Sequence, residues 1–433
     1  MSRTTSRAPV LAAATVALAL LPLALAAPTA SAAVGPNGQI AYVASGPRDD
    51  PFGPPTQEDV WVMNPDGTGR VNLTDSANVD DNSPSWSPDG TRIAYISDSF
   101  ARNLMVMNAD GTSPTLVTSG ALNPSWSPDG TRVAVLKERA LGPAELVTID
   151  LATGAETVVT DTVAMEPVWS PDGSRFAFVG LREEQYPDPL TGEPTTGTQH
   201  EIVVVNADGT GEVIVTAGAA GSERASFLEE DRAPAWSPDG SMLVFMSQGQ
   251  VPSCCGPWQL WAANPDGTGL TNLTADDTVQ DLYPAWSPDG TSIVFSRASG
   301  AGYDLFTLPA PSVLPLPAGR LAAQAGPTGE ATPLTATGNA VDPSWGPQAA
   351  APTSYRLTVT TRGKGRVTSA PAGIACGADC AEGYLAGTTV TLKADAKHGW
   401  RFVGWSGACS GQKVRCTVVL NKDARVWARF VHR

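Results

Sequence analysis

The chain has 433 residues, enough for two domains and a sizeable core. Charged residues make up only 16% of it while Gly and Pro number 43 and 37, which favours many short strands joined by turns over long helices. A formal net charge of −15 excludes the basic footprint of a nucleic-acid binder.

Read from the N-terminus, Arg3 and Arg7 precede an apolar run from Val10 to Ala27, and Ala30-Ser31-Ala32 follows as a small-residue cleavage site. This is the pattern of a secretory signal peptide over residues 1–32, cut after Ala32. Pro22 interrupts the run, which argues against a retained anchor. No Cys lies near the cut, so no lipid attachment is expected there, and no later run is long enough to span a bilayer. The mature protein is expected to be secreted, extracellular or periplasmic, without a membrane span. Disulfides persist in such a compartment.

From residue 33 onward one phrase recurs. It reads "NSPSWSPDGTRIAYI" at Asn82 and "NPSWSPDGTRVAVL" at Asn123, then "EPVWSPDGSRFAFV", "APAWSPDGSMLVFM" and "YPAWSPDGTSIVFS". Its Trp falls at Trp86, Trp126, Trp169, Trp236, Trp286 and, in a worn copy, Trp345. A period of about 40 residues points to a propeller or a solenoid. "SPDG" is turn chemistry: Pro presets φ, Asp bonds the turn backbone, and Gly supplies φ > 0. The residues after it, such as "RIAYIS", alternate as a half-buried strand. A third strand follows ("VWVMN", "LMVMN", "IVVVN", "LWAAN"), then a second Asp-Gly turn and a short fourth strand ending in "NLT" or "LVT". Four antiparallel strands per repeat make a propeller blade.

The two ends complete each other. "DPSWGPQ", around Trp345, has no second strand after it, whereas "PNGQIAYVAS" from Pro36 has that strand and no Trp strand before it. A solenoid would have two capped ends, while a closed ring shares one blade between its termini. The expectation is an all-β chain whose residues 33–346 form six blades.

The repeated Trp-Ser-Pro-Asp-Gly core resembles the TolB-type beta-propeller family, over most of the mature chain. TolB itself carries a separate domain before its propeller, and here the propeller follows the signal segment directly. The resemblance therefore implies the fold and a place at the cell envelope more than it implies TolB's own role.

Strand alternation puts both Asp-Gly turns of each blade on one face and the long insertions on the other. Examples are "GPRDDPFGPPTQED", "LREEQYPDPLTGEPTTGTQHE", "AGAAGSERASFLEEDRA" and "SQGQVPSCCGPWQ". Insertions gathered on one face mark a binding face. Asp81, Asp231 and Asp281 each stand five residues before a blade Trp, and Glu166 and Asp342 stand three before theirs. With the Trp strand innermost, as the resemblance implies, these five acids approach the channel mouth and would attract a cation or a basic peptide end. The alternative is that acidic loops simply keep the protein soluble. The turn aspartates, such as Asp66, Asp89, Asp110 and Asp129, lack the D-x-[DN]-x-[DN]-G run of a calcium loop and are assigned to turn chemistry.

Enzyme patterns are weak. The chain has three His, and only His200 lies in the propeller. "GWSGA" at Gly404 lacks the final Gly and the strand–turn–helix setting of a nucleophile elbow. No cofactor motif is present: "GKGRVT" at Gly363 fails the dinucleotide pattern at Thr368.

"GPQAAAPTS" reads as a linker over residues 347–354. Residues 355–433, with "GKGRVTS", "GTTVTL" and "FVGWSG", resemble the bacterial repeat domain related to the internalin B-repeat. The resemblance implies a small β-rich extracellular module. Four Cys lie here, and the favoured pairing is Cys376–Cys380 with Cys409–Cys416, each closing one loop between strands. A long-range pairing or a zinc site are the alternatives. Cys254 and Cys255 are adjacent, either bonded or free. The tail holds 13 basic and four acidic residues, leaving 15 basic and 39 acidic in the rest of the chain.

Together these features predict a secreted, monomeric, non-catalytic binding or scaffold protein. Its propeller takes an envelope protein or an anionic wall polymer through the long-loop face, and its basic tail is an accessory or envelope-binding module. The competing class is a hydrolase or lyase with a cation-assisted site at the channel mouth.

Overall fold

The computed structural model describes residues 36–47, 56–76, 79–98, 101–138, 144–161, 164–187, 193–216, 230–248, 256–276, 278–300, 302–311, 330–349, 354–376 and 379–433. The expected signal peptide and the Cys254–Cys255 pair lie outside the described residues.

Six four-stranded antiparallel sheets follow the repeat. The second blade shows the plan, with strands Asp80–Trp86, Arg92–Asp98, Asn103–Asn108 and Thr115–Ser119 in spatial order. The first blade is the shared one. Ala340–Pro347 pairs with Asn37–Pro47, setting Trp345 opposite Ile40 and Ala340 opposite Ala44, and Thr56–Met63 and Val71–Asn72 complete the sheet. The ring is therefore closed by hydrogen bonds between residues about 300 positions apart, and Asn37 adds side-chain contacts to Asp289 of the sixth blade at 3.0 and 3.1 Å. The worn copy has Gly346 after its Trp where the other copies have Ser. A Cβ there would meet the Trp86 ring at 2.5 Å.

The second strand of each blade differs from the half-buried expectation. Ile93, Ala94, Tyr95 and Ile96 are all nearly inaccessible, because a blade is covered by a neighbour on both faces. Trp86 packs with Ala41, Val60 and Val62 of the preceding blade, and Val294 and Leu305 of the last blade pack on Ile40 and Tyr42 of the first. Each such aliphatic side chain contributes about 1.5–3 kcal/mol. On the outside of this layer, Arg92, Arg132 and Arg175 lay their guanidinium groups over Trp126, Trp169 and Trp236 of the next blade, at 4.6, 5.5 and 4.8 Å.

The turn aspartates are held as turn chemistry requires. Asp129 accepts from Ser127 Oγ at 2.6 Å and from Thr131 N and Oγ1 at 3.0 and 2.8 Å. Asp66 accepts from both the hydroxyl and the backbone of Thr68, which lowers its pKa. The insertion after Leu181 is a hairpin, not an open loop: Arg175–Pro187 pairs with Pro194–Asn206 up to Pro187 opposite Pro194.

Residues 354–433 form two further four-stranded sheets around their own core, in which Leu357, Val359, Val367, Val390, Leu392, Leu420, Val426 and Ala428 are fully enclosed. Cys409 and Cys416 are bonded, with Cα atoms 6.2 Å apart. Cys380 is also disulfide-bonded, and the side chain of Cys376 lies outside the described ones.

Candidate binding site

Every innermost strand breaks register in the same place, and the closing strand Ala340–Pro347 breaks it a second time nearer its end. The residue three before the blade Trp (Ser83, Asn123, Glu166, Ala233, Tyr283 or Asp342) sits at positive φ, between 49° and 53°. A Pro follows in each of the six copies. Left-handed backbone at a non-Gly residue costs of order 1–3 kcal/mol, and a following Pro restricts that residue further. The strained residue forms a bulge that turns the chain toward the ring axis.

The six bulges enclose a cavity of about 410 Å³. Its wall is the six X-Pro-X triplets, joined by Val43, Glu58, Asn82 and Val341. Glu58 lies near the start of the strand Thr56–Met63, which follows the first long insertion, so the cavity faces the long-loop side.

Four ionisable side chains stand in the wall, Glu58, Glu166, Tyr283 and Asp342. Glu166 accepts the Ala233 N–H at 2.6 Å. Its pKa is raised by burial, against that hydrogen bond and the nearby Arg232 guanidinium. Asp342 is pushed up to about 7 by burial and by the negative charges of Glu166 and Glu58, although the hydroxyl and the backbone N–H of Ser83 favour its ionised form. Tyr283 is pushed up to about 12 by burial, Asp342 and Glu166. Arg232 itself is tied to Glu230 at 3.2 Å. The cavity is thus electronegative and poor in mobile counter-charge, which strengthens any cation that enters it.

Of the five acids expected at the mouth, the structure brings Glu166 and Asp342 to the cavity. Asp81, Asp231 and Asp281 are not in its wall. Each is 1% exposed and turned into the blade packing. The bulge is the reason. Burial along Asp80–Trp86 runs so that Asp81 and Trp86 point into the packing while Ser83 and Ser85 face the axis. The extra residue between Asp81 and Trp86 reverses the alternation. Tyr283 and Glu58 are cavity residues that a search for acids near the Trp does not find. The Pro that follows every bulge residue is a sequence signal that picks out Tyr283.

Among the described residues no group of three or more His, Cys, Asp or Glu is placed to hold a metal ion, and no helix is long and apolar enough to cross a membrane.

Two family models match the sequence. The lipoprotein LpqB beta-propeller domain matches residues 58–300, and the divergent InlB B-repeat domain matches residues 355–433. No curated protein matches. Among solved structures, TolB from Acinetobacter baumannii is 19% identical, covering 72% of this chain and 67% of that one, with a TM-score of 0.53. Kuenenia stuttgartiensis hydrazine synthase is 12% identical, covering 91% of this chain and 68% of that one, with a TM-score of 0.51. A putative TolB from Agrobacterium tumefaciens is 21% identical, covering 59% and 95%, with a TM-score of 0.39. At 19% and 12% identity, the likeness to the first two is one of fold.

Proposed function

The chain belongs to the family of the lipoprotein LpqB beta-propeller domain, with a divergent InlB B-repeat domain behind it, and on that premise we propose that it is a non-catalytic binding protein of the cell envelope. Its propeller takes a basic group of a partner (a Lys or Arg side chain, or a peptide amino terminus) at the channel mouth. The observation that carries this reading is the pairing of Glu166 and Asp342 in the cavity wall, enclosed and electrostatically coupled. An entering ammonium or guanidinium group relieves their mutual repulsion and is favoured by the low dielectric. The family name, that of a lipoprotein domain, supports an envelope setting, as does the signal pattern at residues 1–32. The basic tail is the accessory module, suited to anionic wall polymers, at about 1 kcal/mol per well-placed Lys or Arg.

The test is co-sedimentation with cell envelopes across a salt series, with and without residues 355–433. Binding kept by the propeller alone supports a site at its mouth, and binding lost with the tail and weakened by salt makes the tail the anchor. Loss of all binding in both forms contradicts the proposal.

One observation favours a second reading. A carboxyl group with a pKa of about 7 beside another carboxylate is an arrangement fit for general acid–base work. Under this reading the mouth belongs to a hydrolase or lyase, and a hydrolysis and elimination screen with an Asp342→Asn control separates the two.

A further inference from the structure

Between the first and second blades lies a buried cluster of oxygen atoms that the channel mouth does not use. Asp81 is 1% exposed, and neither of its carboxylate oxygens has a hydrogen-bond partner. An enclosed carboxylate persists only when it is protonated, hydrogen-bonded or paired with a cation. The hydroxyls of Ser97, on its own blade, and of Ser76 and Thr74, on the first blade, face it without closing a hydrogen bond. Two of them have their protons engaged elsewhere. Thr74 Oγ1 donates to Asp59 Oδ1 at 3.4 Å, and Ser76 Oγ donates to the Thr74 carbonyl at 3.0 Å. They therefore offer Asp81 lone pairs, not protons. Asp59, 6% exposed, adds a second carboxylate near enough to repel the first. The groups that face Asp81 are all oxygens, which is the ligand preference of a hard cation, while Asp59 also accepts from Asn72 Nδ2 at 3.0 Å and from Gln57 Nε2 at 3.2 Å.

The sixth blade supplies a comparison within the same chain. Asp281 stands where Asp81 stands, and its cross-strand partner is Arg297 where the second blade has Ser97. Arg297 Nε and Nη2 donate to the two carboxylate oxygens at 2.7 and 2.8 Å. The sixth blade thus encodes a positive charge at this position, and the second blade encodes a hydroxyl. The fifth blade resembles the second: Ser247, opposite Asp231, is fully buried with its Oγ unpartnered.

We propose that Asp81 and Asp59, with the hydroxyl oxygens of Thr74, Ser76 and Ser97, bind a calcium ion that ties the first blade to the second, in the place that Arg297 takes in the sixth. Two carboxylates balance the double charge of calcium, and oxygen-only ligands from two elements give it the flexible coordination that it accepts and magnesium does not. The ion would brace the ring beside its closing blade. Affinity in the range of extracellular calcium modules, Kd of about 10⁻⁴–10⁻³ M, is expected.

The experiment is thermal unfolding of the full chain in EDTA, in calcium chloride and in sodium chloride of matched ionic strength. The wild type, Asp81→Asn and Ser97→Arg are compared. Asp81→Asn keeps the size of the side chain and removes the charge; Ser97→Arg supplies the guanidinium of the sixth blade. Calcium at saturating concentration is expected to raise the Tm of the wild type by about 2–5 °C over the sodium control. That rise is lost in both variants, and Ser97→Arg is as stable in EDTA as the wild type is in calcium. No calcium-specific rise in the wild type, or a rise kept by either folded variant, overturns the proposal. If Ser97→Arg does not fold, Asp81→Asn alone decides.

Discussion

Glu166 of the fourth blade accepts the backbone N–H of Ala233 of the fifth at 2.6 Å. Both residues occupy the same position in their repeats, three before the Trp. Asp342 of the first blade stands in the same relation to Ser83 of the second. Glu166 and Asp342 therefore each brace the bulge of the next blade with one edge and hold their charge toward the channel. One side chain serves ring integrity and ligand attraction together, so the two roles separate only under isosteric substitution.

Glu166→Gln is the substitution that separates them. The amide oxygen still accepts from Ala233, so stability changes little, while the charge that raises Asp342 is removed. The midpoint of Asp342 is expected to fall below about 7, read by carboxyl chemical shifts across a pH titration. Glu166→Ala also removes the acceptor and is expected to cost about 1–3 kcal/mol of stability. Equal stability of the two variants would count against the brace.

Asp342 gives the propeller a pH dependence of definite sign. Its pKa is raised on folding from an ordinary 3.8 to about 7. The folded state then binds the proton more tightly than the unfolded one. The contribution is fully present below pH ~4 and is lost as pH rises through ~7. Asp342→Asn is expected to flatten that slope in urea unfolding and to be more stable than the wild type at pH 8 by about 1–4 kcal/mol. A steeper slope in the variant would reverse the assignment.

The closing blade is expected to behave as one blade among six. Ile40, from the N-terminal segment, and Ile93, its counterpart in the second blade, are both fully buried. Ile→Ala at either is expected to cost about 2–5 kcal/mol and to lower the same cooperative transition. A much smaller cost at Ile40, or a separate early transition, would mean that the ring opens at its seam.

The tail is expected to answer to reduction by itself. Its core is enclosed within residues 354–433 and the Cys409–Cys416 bridge closes a short loop there. Cys409→Ala with Cys416→Ala is expected to cost the tail about 2 kcal/mol and to leave the propeller's Tm unchanged in calorimetry. A common shift of both transitions would show the two units unfolding together.

The blade count and the seam were legible because each rests on a short-range code. Pro, Asp and Gly fix the turn at a constant distance from the Trp, so "DPSWGPQ" and "PNGQIAYVAS" read as halves of one unit before any contact is known. The cavity wall was half legible. Counting back from the Trp sends Asp81 and Ser83 to the same side of a regular strand, and the bulge sends them to opposite sides. Burial on both faces of strands such as Ile93–Ile96 was also hidden, since the residues that cover them come from neighbouring blades. The Arg297–Asp281 pair is a cross-strand match in register, which spacing along the chain does not disclose.

The most direct measurement is envelope binding by the wild type and the Glu166→Gln/Asp342→Asn double variant, at one ionic strength and at pH 8, where Asp342 is ionised in the wild type. Both substitutions keep shape and the hydrogen bonds to the next blade, and remove only charge from the cavity. The account predicts that the binding due to the propeller falls at least tenfold in the double variant, and that wild-type binding weakens as the pH is lowered from 8 to 6. Equal binding by the two proteins, with no pH dependence, would contradict the channel mouth as the site.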